Sequence, residues 1–214
     1  MSATPSRGTV AGVLLAAGAS RRLGSPKQLL RDALDETLVH RSARTLLEAG
    51  CSPVVVVVGA QADAVAAEVE DLPVQVAFNA LWESGMGSSV ATGARFLSER
   101  SPATTGLLVA ACDMPGIATP HLRSLIVASE QGTIRSASAY QGGNDPQSVG
   151  IPAVFPRTDW ALLEALEGDQ GARSLLRQEP PATVPLTSGR FDLDTPEDVQ
   201  RWRANDSGPS ADDD

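Results

Sequence analysis

Three short stretches of the chain carry residue types suited to a phosphorylated ligand. The first is Leu14-Leu15-Ala16-Ala17-Gly18-Ala19-Ser20-Arg21-Arg22-Leu23-Gly24-Ser25-Pro26-Lys27. An apolar run ends in a loop of small residues, followed by two arginines and a lysine. Small residues let backbone N–H groups come close to phosphate oxygens. Arg21 or Arg22 would grip a phosphate with its planar fork, and Lys27 would act as a point charge. The spacing is neither that of a Walker A loop nor G-x-G-x-x-G, and the plainer alternative is a tight turn with solvated arginines.

The second stretch is Leu107-Leu108-Val109-Ala110-Ala111-Cys112-Asp113-Met114-Pro115. A carboxylate at the end of a buried strand can hold Mg2+ beside a triphosphate; alone, Asp113 would read as a cap or loop residue. The third is Phe191-Asp192-Leu193-Asp194-Thr195-Pro196-Glu197-Asp198. Thr195, Pro196 and Asp198 have the spacing of an N-cap, N1 and N3 of a helix. Asp192 and Asp194 flank Leu193 on what reads as a short strand. Only one of the two is expected to face the site, as a second metal ligand.

These stretches need a scaffold, and the hydrophobic pattern supplies one. Strands are expected over 9–16, 53–58, 74–78, 106–111, 134–140 and 182–186, with a short one at 153–155. The five consecutive valines from Val54 to Val58 suit a central parallel strand buried on both faces. Helices are expected over 37–49 with Gly50 as the stop, and over 61–70, 86–99, 120–130, 159–166, 172–178 and 196–203. The polar, Gly-rich residues 141–150 read as a loop. Alternating strands and helices point to an α/β fold, a single-domain, doubly wound, mostly parallel sheet of Rossmann-like type. In such sheets ligands bind beyond the carboxyl ends of the strands, where the polar motifs fall. Residues 1–8 are expected to be a disordered lead, 9–204 the domain and 205–214 a disordered acidic tail.

Composition narrows the classes. The chain has 214 residues, 42% hydrophobic but only 4% aromatic, so Ala, Val and Leu must build its core. A net charge of -9 speaks against non-specific nucleic-acid binding but not against a local phosphate pocket. Cys51 and Cys112 match no disulfide framework or zinc spacing and read as reduced core thiols. The first apolar run is too short to span a bilayer and no signal peptide is seen, so no membrane role and a cytoplasmic location are expected. His40 and His121 read as solvated or capping residues. No apolar stripe marks an oligomer face, so a monomer is expected.

Taken in order, L-A-A-G-x-S-x-R-x-G-x-x-K, N-x-x-W-x-x-G-M-x-S-S, D-M-P, G-D-x-G-A-R-x-L-L and D-x-D-T-P-E-D resemble the molybdenum cofactor cytidylyltransferase group of the MobA-like NTP-transferase superfamily. The resemblance runs from about Val10 to Arg203. It implies a Mg2+-dependent nucleotidyltransferase moving CMP from CTP to a molybdopterin-type cofactor, with release of pyrophosphate, in the service of a molybdenum hydroxylase. It also implies roles. Leu15, Ala16, Ala17, Gly18 and Ser20 would wrap the nucleotide, with Arg22 and Lys27 on its phosphates. Asn79, Gly85 and Ser88 would lie near base and ribose. Asp113 would hold Mg2+ with Asp192 or Asp194, making Lys27, Arg22 and Asp113 the catalytic set. Gly150, Pro152, Asp169 and Arg173 would meet the acceptor. Ala17 stands where the guanylyl branch has a second Gly, which favours CTP. The acceptor-side pattern G-x-x-G-H-P is replaced by Gly142-Gly143-Asn144-Asp145-Pro146-Gln147-Ser148-Val149-Gly150-Ile151-Pro152, without the His. That departure leaves room for another phosphorylated acceptor (a sugar, polyol or phospholactate). A carrier of the cofactor that performs no catalysis is the remaining alternative.

Overall fold

The computed structural model describes residues 8–140, 149–186 and 192–206. In chain order the elements are β1 (Val10–Ala16), α1 (Leu38–Ala49), β2 (Val54–Val58), α2 (Ala62–Ala67), β3 (Gln75–Phe78), α3 (Met86–Arg100) and β4 (Gly106–Ala111). There follow α4 (Thr119–Ala128), β5 (Ser136–Tyr140), β6 (Val149–Pro156), α5 (Trp160–Glu164), α6 (Arg173–Gln178), β7 (Ala182–Leu186) and α7 (Pro196–Asp206). The expected disordered lead, polar loop and disordered acidic tail fall largely on residues 1–7, 141–148 and 207–214, which lie outside the described residues. At the C-terminal end the last helix reaches Asp206, beyond the expected stop at 203.

Seven strands form one sheet in the order β3-β2-β1-β4-β6-β5-β7. β1, β2, β3 and β4 pair in parallel, β5 and β7 likewise, and β6 runs antiparallel to both neighbours. The unbroken apolar runs follow from burial on two faces. Ala11, Val13 and Leu15 of β1 join Val55 and Val57 of β2 under α3, α5 and α6. Their neighbours Val10, Leu14, Ala16, Val54, Val56 and Val58 join the opposite core under α1, α2 and α4. Because side chains alternate across a strand, one continuous run feeds both cores. α1 stops at Gly50, whose φ of 98° only glycine adopts easily.

The expected short strand at 153–155 is longer, and residues 149–150 belong to it rather than to the loop. Gly150 and Pro152 hid it, since both are poor strand formers. The register between β5 and β6 shifts at Ala137/Ser138, and side chains take over there. The Ser138 hydroxyl donates to the Pro152 carbonyl at 2.8 Å, and the Tyr140 hydroxyl donates to the Ile151 carbonyl.

β2 and β3 lie on one side of β1, and β4 lies on the other, so the chain reverses its winding between β1 and β4. That reversal opens a crevice at their carboxyl ends, and Ala17-Gly18 and Cys112-Asp113 stand at its lip. No helix among the described residues is long and apolar enough to cross a membrane.

Candidate active site

The loop after β1 is shaped from behind. Gln28 is buried, and its side-chain Nε2 donates to the carbonyls of Ala16 at 3.0 Å and Gly18 at 2.6 Å. The Ala17 carbonyl accepts from the Ala60 amide at 3.0 Å. Ser20, with a φ of 52°, turns the chain. Its hydroxyl accepts from the Lys27 amide at 3.0 Å and donates to Gln28 Oε1 at 3.4 Å. The loop therefore closes on itself and returns Lys27 to the mouth of the cleft. The sequence reading did not single out Gln28. Its signal was slight: an uncharged polar residue placed directly after the lysine, before two leucines.

Lys27 Nζ lies 2.5 Å from Asp113 Oδ2 and 3.4 Å from Asp194 Oδ1, and an Arg22 guanidinium nitrogen lies 2.8 Å from Asp194 Oδ2. Lys27 and Asp113 are mostly sheltered, with side chains 16% and 20% exposed, whereas Arg22 is 75% exposed. Burial alone would lower the lysine pKa, but the charge of Asp113 and the hydrogen bond to it outweigh burial and leave it raised. Lys27 therefore stays an ammonium. Burial pushes the adjoining Cys112 thiol up to about 12, so it is a neutral, unreactive neighbour.

Asp192 and Asp194 both reach this region, which corrects the expectation that only one would. Residues two apart along an extended segment share a side, and here the intervening Leu193 is fully buried with Leu38, Val199 and Trp202. The Leu193 amide donates to the Asp113 carbonyl at 3.0 Å, stitching the segment to the end of β4. Asp194 pairs with the two cations, while Asp192 lines a cleft together with Asp113. α7 opens as the spacing predicts. Asp198 Oδ2 accepts from the Thr195 amide at 2.9 Å, and the Thr195 hydroxyl accepts from the Asp198 amide at 3.2 Å.

Two clefts meet at Asp113. One, of about 230 Å³, is lined by Leu15, Ala17, Gly18, Lys27, Trp82 and Gly85 among others. The other, of about 130 Å³, is lined by Tyr140, Gly150, Ile151, Arg173 and Asp192 among others. Met86 and Ala111 border both. The antiparallel course of β6 is what brings Gly150 and Ile151 to this end of the sheet.

Asn79 and Ser88 are buried behind the first cleft. The Asn79 amide group donates to the hydroxyls of Ser88 at 2.9 Å and Ser89 at 3.0 Å, and its oxygen accepts from the Leu81 amide at 2.9 Å. The Ser88 hydroxyl is engaged with the carbonyls of Leu81 and Gly85. These two side chains hold the turn that carries Trp82 and Gly85, and Ser89 takes the place in the lining. Gly85 has a φ of 127°, and a Cβ there would come within 2.4 Å of Asp169 Oδ1. The Gly87 amide donates to the Gly168 carbonyl at 2.8 Å. The turn before α3 is thus docked on the turn that bears Asp169. Pro152 stands on β6 beside the second cleft, joined to Ile151 by a cis peptide bond. His121, expected to be solvated or capping, instead pairs through Nε2 with the Ser138 hydroxyl at 2.8 Å, and its half-burial lowers its pKa.

Among the described residues no group of three or more His, Cys, Asp or Glu side chains gathers to hold a metal. A magnesium-type ion does not need one, because it commonly binds one or two carboxylates plus substrate phosphates and water. The hard oxygens of Asp113 and Asp192 on one cleft suit such an ion.

The chain is similar to proteins of known sequence and structure over most of its length. It is 39% identical over 174 residues to the nicotine blue oxidoreductase of Paenarthrobacter nicotinovorans, covering 80% of this chain and 83% of that one. It is 31% identical over 174 residues to a probable molybdenum cofactor guanylyltransferase of Opitutus terrae, covering 78% and 76%. The crystal structure of Rv0371c from Mycobacterium tuberculosis superposes with a TM-score of 0.76 at 29% identity, covering 93% of this chain and 100% of that one. That protein has also been crystallised in complex with manganese. The model of the MobA-like NTP transferase domain matches residues 12–183. The chain therefore belongs to the MobA-like NTP transferase family and is a nucleotidyltransferase.

Proposed function

We propose that the chain transfers CMP from CTP to the phosphate of a molybdopterin-type cofactor, with Mg2+, and releases pyrophosphate. The observation that carries this reading is the place of Lys27 and Asp113, a cation and an anion 2.5 Å apart where two clefts meet. A nucleotide in the Ala17–Lys27 cleft and an acceptor in the Tyr140–Arg173 cleft would have their reacting phosphates side by side at that junction.

Transfer of this kind asks mainly for alignment and charge neutralisation. An ionised phosphate oxygen of the acceptor attacks the α-phosphorus. A new P–O bond forms, the bond to the β-phosphate oxygen breaks, and pyrophosphate leaves with the electron pair. The attacking oxygen carries no proton at neutral pH, so no general base is needed. Lys27 neutralises charge growing on the α-phosphate, and Arg22 grips the outer phosphates. Asp113 and Asp192 would hold the metal ion, which supplies Lewis-acid charge to the phosphate oxygens. Asp194 anchors Arg22 and Lys27 in place. The β1 loop lacks G-x-G-x-x-G spacing, so nothing in it favours a dinucleotide over a nucleoside triphosphate. Ala17 on the wall of the nucleotide cleft supports a pyrimidine base, as the methyl takes room that a glycine would leave.

The test is pyrophosphate release with Mg2+, molybdopterin cofactor and each of the four NTPs. Release with CTP well above GTP, lost in Lys27→Ala, is expected. No release with any NTP from folded protein that binds CTP would remove molybdopterin as the acceptor and turn the assay to sugar, polyol and phospholactate phosphates. A molybdenum hydroxylase is the expected recipient of the product.

A further inference from the structure

Every carbonyl of the turn at Ala16, Ala17 and Gly18 is bonded from behind. Gln28 Nε2 donates to those of Ala16 and Gly18 at 3.0 and 2.6 Å, and the Ala60 amide donates to that of Ala17 at 3.0 Å. In a trans peptide the N–H points opposite to the C=O. Fixing the Ala17 and Gly18 carbonyls therefore fixes the amides of Gly18 and Ala19, which face away from Ala60 and Gln28. Neither amide has a hydrogen-bond partner among the described residues. Gly18 lines the cleft that Lys27 enters, and Ala19 the open groove beside it. Aligned, unpartnered amides form an anion cradle.

We propose that Gln28 is a positioning residue for nucleotide binding: its carboxamide, by holding the carbonyls on either side of Ala17, aims the loop amides at the triphosphate. This rests on the reading of that cleft as the nucleotide site. Gln28 is buried, with its side chain in contact with the loop from below. Its effect on a ligand passes through the backbone. Loss of its donor frees two carbonyls to turn, and a turned carbonyl presents oxygen to phosphate where an amide stood.

The experiment is calorimetric titration of the full chain and of Gln28→Met and Gln28→Glu with CTP and, separately, with inorganic tripolyphosphate, both with Mg2+. Each variant keeps the length of the side chain and removes the donor. Val65→Ala, a buried change in α2 at a residue that lines neither the cleft nor the groove beside it, serves as the control for general destabilisation. The expected result is a loss of about 10- to 100-fold in affinity, the size of one or two hydrogen bonds to a charged group. The loss should be equal for CTP and tripolyphosphate and absent in Val65→Ala. Unchanged affinity in whichever Gln28 variant folds overturns the proposal. So does a loss confined to CTP, which would place the effect at the base. Wild-type protein that binds no NTP sinks the nucleotide reading itself, a result visible before any variant is made.

Discussion

On the β1 side of Asp113 the loop at the cleft mouth is held mainly by its own residues: Gln28 and Ser20 bond the loop they belong to, Lys27 is delivered by that same loop, and the Ala60 amide just beyond β2 adds one bond. On the other side the wall includes the start of α6, which is held from the opposite end of β5 by partners far apart in the chain. Arg135, just before β5, makes a two-pronged pair with Asp159 at 2.5 and 2.9 Å, and its remaining nitrogen donates to the Leu175 carbonyl of α6 at 3.0 Å. Both side chains of that pair are only 9% exposed. The half proposed for the nucleotide is a local motif on a parallel sheet, whereas the half proposed for the acceptor is an assembly of a reversed strand, a buried ion pair and a docked turn. A local motif can be read and altered one residue at a time. An assembly fails or moves as a unit.

The seam between the halves should be the most sensitive point. Asp113→Asn is expected to lower turnover by roughly 10³-fold, since it removes charge at the reacting centre. Its melting temperature should fall by only a few degrees, because Asp194 remains 3.4 Å from Lys27 as a second anionic partner. A variant retaining a tenth of the activity would mean that the two halves do not meet there.

The second effect separates the halves. Asp159→Asn leaves the buried Arg135 guanidinium with the exposed Glu179 carboxylate at 3.4 Å as its anionic partner, a change expected to cost up to about 3 kcal/mol, the scale of breaking a buried pair. Urea unfolding should read that loss. CTP affinity of the folded fraction should hold while the KM for the acceptor rises. Equal damage to both would show that the nucleotide loop leans on the acceptor half after all.

A third change stays within the nucleotide half. Ala17→Gly removes one methyl from the cleft wall and is expected to shift the CTP-to-GTP ratio of kcat/KM toward GTP by about tenfold. An unmoved ratio would put base choice elsewhere.

The smallest effect lies away from both clefts. His40 is hydrogen-bonded to Glu36 at 2.6 Å and to Asp71 at 3.1 Å. Burial alone would lower its pKa, but these bonds leave it raised above the usual 6.5. The Arg44 hydrogen bond in turn holds Glu36 below 4.5. A raised histidine stabilises fully below its unfolded value and loses that contribution as pH rises through its folded one. The lowered glutamate contributes above its unfolded value and loses its part as pH falls. The pair therefore helps most between about 4.5 and 6.5. His40→Gln should cost less than about 1 kcal/mol there, because solvent screens the site, and less still near pH 9, where the imidazole has lost its charge. Melting curves at the two pH values check this.

The same division explains what the sequence made legible. The valine run of β2, the stop at Gly50 and the box formed by Thr195 and Asp198 are local signals, and each appears in the structure where the pattern placed it. Lys27 and Asp113 were legible as types at strand ends, and the sheet brings them together. β6 was half legible, because Gly150 and Pro152 disguise a strand whose lost ladder bonds are replaced by the side chains of Ser138 and Tyr140. Asn79 was singled out for a ligand, yet its side chain is engaged by Ser88, Ser89 and Leu81. Residue type alone does not tell a group that binds from one that braces. Gln28 and the Arg135–Asp159 pair had no local signature, since their meaning comes from partners that only the folded chain supplies.

The docking of Gly85 and Gly87 onto the turn at Gly168 and Asp169 bears on how this scaffold can be altered. The two turns share one wall with no room for a side chain between them, and Met86 looks into both clefts from it. Grafting an acceptor turn from a relative would therefore also displace the nucleotide wall unless the glycines travelled with it. New acceptor preferences on this backbone are better sought by exchanging both turns together than by changing either one singly.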